Sequence, residues 1–244
     1  MPRSADPQPL HPRPARLAPP EGGRGADTRE RLLDAAEQIF AERGFEGASM
    51  RAVTHAAGAS VSAANYHFGS KEALLRETLL RRVGPLNERR VARLDALEAE
   101  ANGRPLELET IIEAFLRPVF EEHAASVDAT ARFRQVAARI YSDPPEVVSA
   151  MKRELFGPVA TRFIAALAAA LPEKSRQEIE LGFQLTVGVM VHVISGHLVT
   201  VPGQEESECE CWAARLSDES VLQQMIAYVV AGLRAVSGSG GVAR

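Results

Sequence analysis

Aromatic side chains make up only 5% of this 244-residue sequence, tryptophan occurs once, and cysteine occurs twice. Two cysteines, Cys209 and Cys211, are too closely spaced for an easy bridge and exclude a disulfide framework. No charged-then-apolar leader with a cleavage site opens the chain, so a reducing cytoplasm is the expected compartment. A chain of this length buries a real core without such staples. Catalytic signatures are missing as well. There is no Gly-x-Ser-x-Gly elbow, phosphate loop, His-Glu-x-x-His or dinucleotide fingerprint. His192 and His197 stand five apart, roughly 140° around a helix, and cannot form a metal pair on one face. Neither an enzyme nor a resident metal or cofactor is expected. Cys209 and Cys211 lie among Glu205, Glu206, Glu208 and Glu210, where they could bind a metal or sense oxidation; a solvated loop is the plainer reading. The one long apolar run, 181–201, could span a bilayer by length, yet it carries Gln184, His192, His197 and three glycines. A core or subunit-interface helix explains that mixture, and no membrane partner is expected.

Charge is nearly balanced overall, with 28 basic and 32 acidic residues, but it is unevenly placed. Residues 43–83 hold Arg43, Arg51, Lys71, Arg76, Arg81 and Arg82 against Glu46, Glu72 and Glu77, a surplus of three positive charges. Residues 84–244 hold 16 basic and 22 acidic side chains. A polyanion is therefore expected near the N-terminal third and nowhere else.

Residues 1–25 contain seven prolines, three glycines and four arginines, and read as a disordered arm. A helix is predicted from Asp27, with Glu30 in capping-box position, Leu32, Ala36, Ile39 and Phe40 at helical spacing, and Gly44 as its stop. A second helix is expected from Ser49 to Gly58, and a third from Ser60 to His67. A fourth starts at Lys71 and is expected to break at Gly84-Pro85. Helical periodicity returns near 106–123, 129–141, 146–170, 173–201 and 217–236, with no strand alternation and no internal repeat. The expected fold is all-α, in three parts: the arm, a smaller helical unit over 26–84 with a candidate helix-turn-helix at 49–68, and a helical bundle over 85–244.

Within 49–68, Ala56 and Ala57 allow close helix crossing, and Gly58 can adopt the left-handed conformation that a short turn requires. Ser60 caps the next helix, on which Val61, Ala64 and Phe68 are expected to form the inward stripe. Ser62, Ala63, Tyr66 and His67 then face outward, where small side chains let the backbone approach a major groove and hydroxyl or ring groups bond phosphates and base edges. Asn65 borders both faces and could pair with an adenine or bridge within the protein. Ser49, Ser70 and Lys71 lie at helix N-termini suited to phosphate. Three short helices with a glycine turn also occur in bundles that bind no DNA. A helical ligand-binding, metal-sensing or redox-sensing protein, or an enzyme, therefore stays as the alternative. An architectural DNA-wrapping protein fits poorly with the acidic remainder.

The segments Leu32 to Phe45, Ala56-Ala57-Gly58 and Asn65-Tyr66-His67-Phe68-Gly69-Ser70-Lys71-Glu72 together resemble the TetR family. The resemblance implies a homodimeric regulator of double-stranded DNA, usually a repressor, that leaves a palindromic operator when a small ligand binds its C-terminal domain. By the same resemblance the DNA-contacting positions are Ser49, Arg51, Ser60, Ser62, Tyr66, His67 and Lys71, with Asn65 added as a candidate from its amide. Thr54 and Ala59 stand where the family usually has alanine and valine, and neither disturbs the turn. The Asn-Tyr-His-Phe run, Gly84-Pro85 and the segment 133–141 also resemble a subgroup that responds to fatty acids or acyl-CoA.

Candidate lining for an effector cavity is Phe115, Phe133, Tyr141, Phe156, Phe163, Phe183 and Met190, with Arg139, Gln184, Thr186 and His192 as polar anchors. Aromatics at helical spacing are also what an ordinary core looks like. Residues 174–201 and 217–236 are the expected dimerisation helices, pairing as a four-helix bundle across a two-fold axis. The alternative is that they simply close the monomer core.

Overall fold

The computed structural model describes residues 21–125, 145–195 and 219–235, and among these the fold is all-α. The helices are α1 (Glu21–Gly47), α2 (Met50–Ala56), α3 (Val61–Phe68) and α4 (Lys71–Ala101), followed by α5 (Leu108–Ala125), α6 (Pro145–Ala170), α7 (Arg176–Ser195) and α8 (Glu219–Ala235). The first three and the start of α4 form the helix-turn-helix unit, and the rest pack as a bundle. The predicted segment 129–141, the arm up to residue 20, and both cysteines lie outside the described residues.

Two expectations about helix limits are corrected. The first helix begins at Glu21 rather than Asp27. Asp27 does not cap it but lies inside it, pairing with Arg31 one turn on at 3.2 Å. The second correction concerns α4, which does not break at Gly84-Pro85 and carries Pro85 within one continuous helix. Pro85 is exposed, so water can satisfy the carbonyl that its missing N–H leaves without a partner. Gly44 does mark an irregularity, with φ 68° inside α1, which turns Phe45 back into the core.

Two hydrophobic cores result. One joins Leu32, Leu33, Ala36, Ile39 and Phe40 of α1 to Val53, Ala64, Phe68, and Leu74, Leu75 and Leu79 of α4. The other collects Leu86 and Leu94 of α4 with Ile111, Ile112, Phe115 and Leu116 of α5, and continues through α6, α7 and α8. Helix α4 thus serves both cores, the change falling between Leu79 and Leu86. Helix α6 does the same from the other side. Its Met151 and Leu155 complete the N-terminal core, while Val159, Phe163 and Leu167 belong to the second.

Ion pairs reinforce these junctions. Glu37, 3% exposed on α1, accepts from Arg81 and Arg82 of α4. Arg76 of α4 pairs with Glu154 of α6. That contact holds the Glu154 carboxyl below the usual carboxylate range and raises the Arg76 guanidinium.

Candidate nucleic-acid interface

Three serines start the three helices of this region, each in extended backbone. Ser49 accepts from the Ala52 amide, Ser60 from Ala63 and Ser70 from Ala73, each at 3.1 Å. At Ser49 and Ser60 a capping hydroxyl uses its oxygen this way and keeps its proton available to an outside acceptor such as phosphate, whereas the Ser70 hydroxyl also bonds the Glu72 carboxylate and helps to lower its pKa. Between α2 and α3 the chain reverses through Gly58 at φ 58°. Arg31 secures the turn by donating from Nη1 to the Ala57 carbonyl at 2.9 Å, a role that sequence spacing gives no reason to assign.

Helix α3 presents two unlike faces. Ala64 is fully buried and Phe68 is 8% exposed. Val61, expected on the same inward stripe, is instead 41% exposed. A helical side chain covers the turn preceding its own residue, and Val61, as the first residue of α3, has no such turn to lie against. Asn65 and Ser62 are exposed, and Tyr66 is 86% exposed. The open face is therefore Val61, Ser62, Asn65 and Tyr66. His67 is half-buried, its ring set edge-on to Tyr66 with centroids 5.2 Å apart. Arg51 of α2 is exposed.

Lys71 differs from its expected use. Its Nζ donates to the carbonyls of Phe45 at 2.9 Å and Ala48 at 3.2 Å and stands 4.2 Å from the centre of the Phe45 ring. An ammonium has three donors, so one is left for a phosphate while two hold the end of α1. Arg76, Arg81 and Arg82 are likewise engaged with Glu154, Glu37 and Asp34. The positive surplus read from the sequence is thus partly internal, and Arg43 and Arg51 are its exposed members.

In the bundle, Phe115 meets Phe163 and Phe183 edge-on, each at 5.1 Å between centroids, and all three are buried core. Phe115, Phe156, Phe183, Gln184 and Met190 nevertheless share a cavity of about 380 Å³. Phe163 is not in its lining. Thr186 is buried, donates to the Gly182 carbonyl at 2.9 Å, and lines a separate groove between α7 and α8. His192 is exposed on α7. Phe133, Arg139 and Tyr141 lie outside the described residues. Sequence reasoning missed Arg90, Lys152 and Arg153, which also line the cavity. The visible signal for Arg90 was its place between Leu86 and Leu94 at four-residue spacing, an arginine in an apolar stripe.

Among the described residues no group of three or more His, Cys, Asp or Glu could hold a metal ion, and no helix is long and apolar enough to cross a membrane. A capped helix with an open polar face, seated across a glycine turn on a second helix, defines a helix-turn-helix DNA-binding regulator. Residues 32–78 match the family described as bacterial regulatory proteins, tetR family, and residues 113–232 match the tetracyclin repressor-like C-terminal domain. The two spans together take in more than half of the chain, which belongs to the TetR family of transcriptional regulators.

Over 53 residues the chain is 45% identical to the transcriptional regulator UidR of Escherichia coli K12, a match covering 22% of this chain and 27% of UidR. Over 71 residues it is 38% identical to the repressor AcnR of Corynebacterium glutamicum, covering 28% of this chain and 38% of AcnR. Both matches span well under half of the relative. Among solved structures, the fatty acid degradation regulator FadR of Bacillus halodurans aligns with TM-score 0.54 at 16% identity, over 85% of this chain and 96% of FadR. The hemolysin II regulator HlyIIR aligns with TM-score 0.52 at 18% identity, over 84% of this chain and 97% of HlyIIR. At such identities the likeness is one of fold.

Proposed function

We propose that this TetR-family protein is a homodimeric, cytoplasmic repressor that grips a palindromic operator through α3 and leaves it when a small hydrophobic effector enters the helical bundle. The observation that carries the DNA-binding part is the open face of α3. Tyr66 stands 86% exposed beside Ser62 and Asn65, on a helix pinned from behind by Ala64 and Phe68. An open aromatic hydroxyl flanked by a serine and an amide, on a helix held from behind, offers polar groups that can bond phosphates and base edges. In this reading Ser62, Asn65 and Tyr66 meet base edges and phosphates in the major groove. Ser49, Arg51, Ser60 and His67 meet the backbone, and Lys71 contributes its remaining donor.

Support for the dimer comes from α7 and α8, where Leu181 and Leu185 are each 53% exposed and Tyr228 is 70% exposed beside a groove floored by Gly182 and Gly232. An exposed apolar face on two adjacent helices suits a four-helix bundle between copies. The effector reading is supported by the cavity of about 380 Å³, a size within the range of small-ligand sites. A fatty acid or acyl-CoA is the effector class that the sequence resemblance suggests.

The test is selection of bound duplexes from genomic fragments, followed by a screen of small molecules for release. Inverted repeats are expected, with half-site centres one helical turn apart, about 34–36 Å. Binding that is indifferent to sequence and vanishes with salt would sink the operator reading.

A further inference from the structure

Resting on the reading of α3 as the helix that enters the major groove, we infer that Val61 reads the methyl group of a thymine and so specifies a T·A pair in each operator half-site. Nothing in the sequence pattern marks Val61 for this task, because helical period assigns it to the core stripe with Ala64 and Phe68. It stands 41% exposed instead, while Ala64 is fully buried and Phe68 is 8% exposed. One exposed valine is ordinary on a protein surface. Its position is what gives it a partner. Val61 is the first residue of α3, directly after the Ser60 cap, and the N-terminal residues of a recognition helix are those that reach base edges.

The neighbours of Val61 narrow that partner to one base. Asn65 lies one turn on along the same face and is also exposed, with Ser62 and Tyr66 in the adjacent row. Arginine and lysine are the usual partners of guanine, and aspartate and glutamate accept from cytosine. Helix α3, Val-Ser-Ala-Ala-Asn-Tyr-His-Phe, carries none of the four. Lys71, the lysine that follows it, commits two of its three donors to the carbonyls of Phe45 and Ala48. What α3 offers is an amide suited to adenine, hydroxyls that discriminate little, and the two methyl groups of Val61.

In the major groove a methyl group belongs to thymine alone among the four bases. Valine against that methyl buries apolar surface on both sides. Against a cytosine edge the same side chain would desolvate the exocyclic amine and give it no acceptor. Attraction to one pyrimidine and a penalty against the other thus act together. Burying one methyl group corresponds to about fourfold in affinity, and to about fifteenfold when both half-sites of a palindrome lose it.

The experiment uses the full-length protein and the duplex recovered from the genomic selection. Each thymine of the half-site is replaced in turn, in both half-sites at once, by deoxyuridine, which lacks only the methyl group and keeps the hydrogen-bonding edge. Dissociation constants are measured at fixed salt by fluorescence anisotropy for the unaltered protein and for Val61→Ala, whose melting temperature should be unchanged at so exposed a position. For the unaltered protein one thymine position should show the loss of about fifteenfold. Val61→Ala should bind the thymine duplex more weakly and should no longer distinguish it, beyond about twofold, from the duplex with deoxyuridine at that position. Deoxyuridine tolerated at every thymine position, or a penalty that persists in full in Val61→Ala, would overturn the inference while leaving the operator reading intact. A recovered half-site built of G·C pairs alone would overturn it as well. The operator reading fails separately, if the selection recovers no preferred duplex.

Discussion

Replacing Glu37 tests whether the link between α1 and α4 is electrostatic or merely a matter of packing. The carboxylate is 3% exposed and accepts three bonds, from one terminal nitrogen of Arg81 at 2.8 Å and from Arg82 at 3.1 and 3.2 Å. Glutamine keeps the shape and one acceptor but removes the charge. Each charge-assisted bond contributes about 1.5–3 kcal/mol and a neutral one about 0.5–1.5 kcal/mol, so three bonds would lose roughly 3 kcal/mol at face value. The arginine side chains are 22% and 30% exposed, and Arg81 also holds Asp34 at 2.8 Å, so water and that second carboxylate recover part of the loss. Glu37→Gln should therefore cost about 2 kcal/mol, and Glu37→Ala, which strands both guanidinium groups, about 3 kcal/mol. Urea denaturation at one fixed protein concentration measures the total, and hydrogen exchange shows where it falls. Protection should drop in α1 and the first half of α4, not in α8. A change below about 0.5 kcal/mol, or equal loss of protection in α8, would refute the reasoning.

Tyr66→Ala should weaken operator binding by about 1–3 kcal/mol with an unchanged melting temperature, because its side chain touches little of the protein. Phe68→Ala, at an 8% exposed core position, should cost about 3 kcal/mol of stability; the opposite pattern in the two variants would reverse the assignment of faces. Lys71→Gln should lower both melting temperature and DNA affinity, since its ammonium ties α4 to the end of α1; a loss confined to affinity would show that the carbonyl contacts contribute nothing. Arg117 of α5, helped by Gln223, holds the Glu219 carboxyl of α8 down to about 2 from its ordinary 4.5. A depressed carboxylate stabilises the fold above its ordinary pKa and loses that contribution as pH falls through about 2. Glu219→Gln should accordingly flatten the acid limb of stability between those values; superimposable acid limbs for the two proteins would contradict this.

Local signals were legible where local physics decides them. The serine caps at 49, 60 and 70 and the left-handed turn at Gly58 follow from side-chain and backbone chemistry within a few residues. The outward Ser62 and Tyr66 follow from helical period alone. Val61 was misplaced because period assigns a face, whereas burial also needs a preceding turn to pack on. Pro85 was misread because a proline rule describes a helix by itself, and here packing on both sides of the residue keeps α4 whole. Lys71 and Arg31 show a different limit. Each bonds carbonyls 23 to 26 positions away, a closeness that exists only after the helices cross. The cavity was half legible: its aromatics were named, but Lys152 and Arg153 reach it only because α6 crosses α4 and α5 there.

An unbroken α4 changes where a signal can travel. A flexible joint at Gly84-Pro85 would have let the bundle rearrange without moving the DNA-reading unit. A continuous helix cannot do so. From Lys71 to Leu94 it spans roughly 35 Å at the α-helical rise, so a tilt of about 5° at the bundle end displaces the other end by about 3 Å. That displacement is large against the tolerance with which two recognition helices must meet successive grooves. The tilt is resisted by α6, which touches α4 on both sides of the former break through Glu154 with Arg76 and through the Leu155 carbonyl, which accepts from Asn87 at 2.9 Å. A ligand needs only to bind one tilt better than the other to shift the balance between them. In the proposed effector reading, the turn of α6 that braces α4 through Glu154 and Leu155 also lines the cavity through Phe156 and Gly157, so a ligand seated there would bear directly on that brace.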